Sequence, residues 1–124
     1  MHPVLRAALE EAAEAFGPDK VAFTEMPDGS VKATVSGVEI GDGWVPQTVG
    51  ITTTLLVTFP SPPPYPFYLP AGLRRADGGA VPNMRTATID GAVVTQLSVR
   101  PQGGRAESSF PALIRGVAAW LRGF

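Results

Sequence analysis

The chain contains no cysteine among its 124 residues. This excludes disulfides, thiolate metal sites and a cysteine nucleophile together. Charge is also scarce, at 17% of residues, with a formal net charge of −1. No basic block is available to neutralise phosphates, so nucleic acid is not an expected partner. No acidic run marks a tail for a basic partner. No apolar run reaches the roughly 20 residues that a membrane helix requires. The first residues, MHPVLRAALEEAAEAFG, carry three glutamates and lack the apolar centre of a secretory signal. A membrane is therefore not an expected partner, and the chain reads as cytoplasmic. The one histidine, His2, is read as a solvated terminal residue. It makes no metal-ligand set and no base for Ser108 or Ser109. Neither a metal nor a cofactor is expected.

Apolar mass, proline and glycine are what the chain does have. Apolar residues make up 44%, enough for one core, so residues 1–124 read as a single domain. HPVLRAALEEAAEAFG predicts an amphipathic helix with Leu5, Leu9, Ala12 and Phe16 on one face. Arg6, Glu10 and Glu14 share another face, and Gly17-Pro18 ends the helix. VAFTEMPDGSVKATVSGVEI changes period. Val31, Ala33 and Val35 alternate with polar residues, and PDGS supplies turn chemistry, so 21–40 predicts a hairpin. ITTTLLVTF predicts a third strand with Ile51, Thr53, Leu55, Val57 and Phe59 on one face. Strands joined by short turns predict an antiparallel meander.

Residues 60–70, PSPPPYPFYLP, then place six prolines and three aromatics together. Proline supplies no ladder donor, so this segment is expected to leave the sheet as a rigid corner, its aromatics turned to the core. PPPY also matches the form of a WW-domain ligand in polyproline II. AGLRRADGGAVPN reads as loop. Asp77 and Asp90 sit beside glycines as turn residues, and Arg74, Arg75, Arg100 and Arg105 read as solvated loop arginines. TATIDGAVVTQLSV predicts a hairpin about Asp90-Gly91, and RPQGGRAES a flexible loop. SFPALIRGVAAWLRGF predicts a second helix, N-capped by Ser109, with Phe110, Leu113, Ile114, Val117, Leu121 and Phe124 on its apolar face. Trp44 and Trp120 are expected to be at least partly buried; an exposed Trp44 would be a contact hot spot. The order gives an α+β fold: N-terminal helix, antiparallel β-meander, proline-rich corner, C-terminal helix.

That order resembles the ubiquitin-conjugating enzyme superfamily. A strand ending in VTFP leads into a corner containing YPF. Val81-Pro82-Asn83 is similar to the family's His-Pro-Asn motif, and DGAVV resembles the run that holds its active-site cysteine. Counting from Gly91 places that position at Val94, and Val81 stands where the family has histidine. The resemblance covers nearly the whole chain and implies a minimal, prokaryote-type UBC-like domain. Without a thiolate no thioester can form, so Asn83 has no oxyanion to stabilise. The implied function is a non-catalytic binding module in a bacterial ubiquitin-like protein pathway, of the kind that serves antiphage defence. Its implied partners are a ubiquitin-like protein or its activating or conjugating enzyme. Arg6, Glu10 and Glu14 on the first helix, with Tyr65 and Phe67 in the corner, are the partner-binding candidates. The alternatives are a conjugating enzyme seen as a cysteine-less variant, and a structural subunit that forms a homodimer through an uncovered sheet edge or the C-terminal helix.

Overall fold

The computed structural model describes residues 1–99 and 109–124. The predicted RPQGGRAES loop, with Arg100, Arg105 and Ser108, lies outside the described residues. Helix α1 spans Pro3–Phe16. Leu5, Leu9 and Ala12 are buried as the period requires, and Ala8 joins them. The helix starts on His2, whose Nδ1 accepts from the Val4 N–H at 3.2 Å. A residue read as merely solvated therefore caps the helix. Gly17 closes it at a φ of 105°, where a side chain would be strained.

The antiparallel sheet comprises β1 (Val21–Glu25), β2 (Val31–Glu39), β4 (Thr48–Leu55), β5 (Phe67–Pro70), β7 (Met84–Ile89) and β8 (Ala92–Leu97), in the order β1-β2-β4-β5-β8-β7. β3 (Trp44–Val45) and β6 (Arg74–Arg75) form a separate two-stranded sheet, the latter within the segment expected to be loop. Both predicted hairpins form. At the second, Asp90 and Gly91 take φ of 51° and 81°, the left-handed pair that a two-residue hairpin turn demands. Alternation in β2 and β4 buries Val31, Ala33, Val35, Val49, Ile51, Thr53 and Leu55 on one face. No helix among the described residues is long and apolar enough to cross a membrane.

Helix α2 (Phe110–Arg122) closes that face. The Ser109 hydroxyl accepts from Ala112 N–H at 3.2 Å, as its predicted capping role requires. Phe110, Leu113, Ile114, Val117 and Leu121 are buried, and α2 meets both α1 and β2. Phe124 departs from expectation. The helix ends at Arg122, and the Phe124 ring, half exposed, stacks edge-on against Trp120 at 4.6 Å. Trp44 is buried, and its indole N–H donates to the Leu121 carbonyl at 2.8 Å. It is core, not an exposed hot spot.

Two expectations around the prolines are corrected. The third strand ends at Leu55, not Phe59. The chain turns there, with Phe59 N–H donating to Leu56 O and Ser61 N–H to Thr58 O, so Val57 is exposed while Phe59 is buried. The segment leaves the sheet but does not stay out: Phe67–Pro70 returns as β5, between β4 and β8. Threonine hydroxyls on neighbouring strands satisfy proline carbonyls. Thr53 donates to Pro66 O at 3.0 Å and Thr95 to Pro70 O at 2.8 Å. Pro70 lies at the end of its strand, where the missing N–H does least harm.

Candidate functional site

The residues matched to a conjugating centre do not converge. Val81 packs against the core edge, and Pro82 and Asn83 are exposed. Asn83 takes a φ of 64°, in the left-handed region that asparagine tolerates, and its carbonyl accepts from Ser98 N–H at 2.7 Å. That bond places Asn83 opposite Ser98. Val94, on β8, lies four residues before Ser98, about 13 Å away at strand spacing. It pairs with Pro70 and Ala87. Because the buried Thr95 and Leu97 face the helices, alternation turns Val94 to the opposite side of the sheet. The Asn83 turn and the Val94 side chain share no cleft. Among the described residues no three His, Asp or Glu converge to hold a metal ion.

The corner separates its two candidates. Phe67 is fully buried, on β5 opposite Leu97. It is a core residue and cannot meet a partner, because strand return turns it under the helices. Tyr65 is 45% exposed, contrary to the expectation that it turns to the core. The peptide alternates, so Pro64 and Phe67 go in and Tyr65 faces out. Leu56 and Val57, released from the strand by its early end, are exposed as well. A hollow of about 180 Å³, lined by Thr54, Leu56, Tyr65 and Pro62–Pro64, joins Leu56 to Tyr65 in one apolar patch, while Val57 lies apart beside Gly29.

The first helix meets strand β1 at a second apolar surface. A groove of about 280 Å³ runs between them, lined in part by Leu9, Ala13, Val21 and Phe23, with Arg6 and Glu10 also on its walls. Glu14, on the next turn, is exposed and does not line it. No pattern along the chain marks this groove. Phe23 reads as an ordinary strand apolar residue until β1 is known to be an edge that α1 does not cover.

A third, polar cleft of about 250 Å³ gathers Arg74, Arg75 and Arg85 beside Thr86 and Thr95. Arg75 is already engaged: it stacks over Trp44 at 5.3 Å and donates to the Phe124 carbonyl at 2.6 Å. Among the described residues, Asp28 is the one carboxylate clearly shifted. Hydrogen bonds from the Ser30 hydroxyl and backbone N–H, at 2.6 and 2.9 Å, hold it below the usual aspartate range. Its role is to fasten the β1–β2 turn. Comparison with family models, with curated proteins and with solved structures returned no match.

Proposed function

We propose that this chain is a non-catalytic protein-binding module of the ubiquitin-conjugating-enzyme-like kind. It recognises a ubiquitin-like protein, or the enzyme that activates or conjugates it, in a bacterial pathway of the type linked to antiphage defence. The observation that carries the reading is the patch of Leu56 and Tyr65 around the hollow of the proline corner. Two large apolar side chains are held in water beside prolines that limit the segment's freedom, which lowers the entropy cost of binding. Phe59, Pro64 and Phe67, buried beneath, fix the backbone that presents them. The absence of cysteine from the chain supports binding without covalent transfer. The order of helix, sheet, proline corner and helix supports the family likeness.

The test is calorimetric titration of the chain with the ubiquitin-like protein, and separately with the activating enzyme, encoded beside its gene. Binding is expected in at least one titration, and Leu56→Asp or Tyr65→Ala should weaken it about tenfold or more, the scale of an interface hot spot. No heat with either protein, or binding indifferent to both substitutions, would refute the reading. The polar face of α1 is the contact that the likeness implies for an activating enzyme, and Glu14→Lys tests it separately.

A further inference from the structure

We infer that two copies of this chain associate edge to edge through β1, with Phe23 of each copy covering the α1–β1 groove across a twofold axis. β1 is an end strand of the sheet, and among the described residues its only strand partner is β2. Met26 N–H donates to Ser30 O at 2.8 Å. Antiparallel ladders alternate, so Thr24 and Ala22 bond to β2, while Val21, Phe23 and Glu25 turn their N–H and C=O groups outward. Natural edges are usually blunted by charge, proline or a bulge. VAFTE has one charge, at its end, no proline and an unbroken register. An edge of this kind is a template for another strand.

The side chains point to the second copy as the occupant. Phe23 is paired with the fully buried Ala33, so it lies on the helix side of the sheet, yet it is 50% exposed. A twofold axis through an antiparallel β1 pair sets Phe23 opposite Phe23 and Val21 opposite Glu25. Both rings then lie between the two α1 helices and cover the apolar walls of Leu9 and Ala13. Charge agrees with this symmetry. Arg6 and Glu10 lie one turn apart on the same groove, and neither makes an ion pair or hydrogen bond through its side chain with another described residue. The twofold reverses the helix direction, which brings each Arg6 towards the other copy's Glu10. The surface is complementary to itself, as an isologous dimer requires. The association uses none of the residues of the Tyr65 patch and stands apart from the proposed pathway. An activating enzyme docking on Arg6 and Glu10 would compete with it.

Sedimentation equilibrium of the full chain, up to millimolar concentration, tests this. A monomer–dimer equilibrium is expected. Phe23→Asp should abolish the dimer while leaving the circular dichroism melt of a folded domain. Arg6→Glu leaves two acids at these two positions and Glu10→Arg leaves two bases, with the Met1 ammonium–Glu25 pair at the groove end unchanged. Each alone should weaken self-association about tenfold or more. Mixing these two variants should restore a dimer, because acid then faces base at both positions. A wild-type chain monomeric throughout, a dimer that survives Phe23→Asp, or a mixture no tighter than its separate components would each overturn the inference. A tight complex with an unrelated strand-forming peptide but never with a second copy would overturn it too.

Discussion

Replacing Trp44 should nearly unfold the domain, and the cost can be divided. The side chain is 1% exposed. Its ring packs under the Arg75 guanidinium and meets Phe124 edge-on at 6.4 Å. Trp44→Ala removes a large buried ring, which costs about 3–5 kcal/mol through lost burial and a residual cavity. It also removes the 2.8 Å bond to Leu121 O. That carbonyl keeps other donors, since Gly123 and Phe124 N–H groups reach it from the helix end. The hydrogen-bond loss therefore falls near the low end, about 1 kcal/mol. A total of about 4–6 kcal/mol is large against a domain stability of about 5–15 kcal/mol. Trp44→Phe keeps much of the ring and loses the bond, so about 1–2 kcal/mol is expected. Urea denaturation followed by far-ultraviolet circular dichroism gives both values. A cost under about 2 kcal/mol for Trp44→Ala would refute the claim that β3 anchors the end of α2.

Phe67→Ala and Tyr65→Ala should separate the two halves of the corner. The first should cost about 3–5 kcal/mol, the scale for a buried aromatic, and the second under about 1.5 kcal/mol, because nearly half of its surface stays in water. Equal melting temperatures for the two variants would contradict the assigned burial. For the β1–β2 turn, the depressed Asp28 contributes fully above the ordinary aspartate value of about 3.9, and the contribution fades as pH falls through the lower folded value. Nuclear magnetic resonance titration of the Asp28 carboxyl should show a midpoint below that ordinary value, and Ser30→Ala should return it towards normal. A wild-type midpoint at or above the ordinary value would remove the turn's proposed fastening.

Much of the fold was legible because local signals and burial agree. Leu5, Leu9 and Ala12 repeat at helical spacing, PDGS and Asp90-Gly91 are turns by chemistry, and Val31, Ala33 and Val35 alternate. The sequence was silent where a residue's role depends on a distant neighbour. Phe67 sits among prolines that argue against a strand, yet β4 and β8 offer it two partners, and Thr53 and Thr95 hydroxyls accommodate the proline carbonyls. Val57 continues the alternation of ITTTLLVTF, but the turn at Leu56–Phe59 removes it from the sheet. Trp44–Val45 and Arg74–Arg75 are too short to carry a period, and only their pairing makes them strands. Of the site candidates, Tyr65 reaches a surface patch and Arg6 and Glu10 reach a groove. Asn83 and Val94 show why motif order is a weak guide to a site: the turn before β7 and strand β8 hold them about four residues apart along the sheet.

Intact-mass measurement tests the central claim, binding without covalent transfer, most directly. The chain is incubated with ATP and the proposed partners, a ubiquitin-like protein and its activating enzyme, then weighed under native and denaturing conditions. The account predicts a native complex that returns to the unmodified chain mass on denaturation without reductant. A chain mass increased by the ubiquitin-like protein that survives denaturation would contradict it, whether or not dithiothreitol releases the adduct. So would the absence of any native complex.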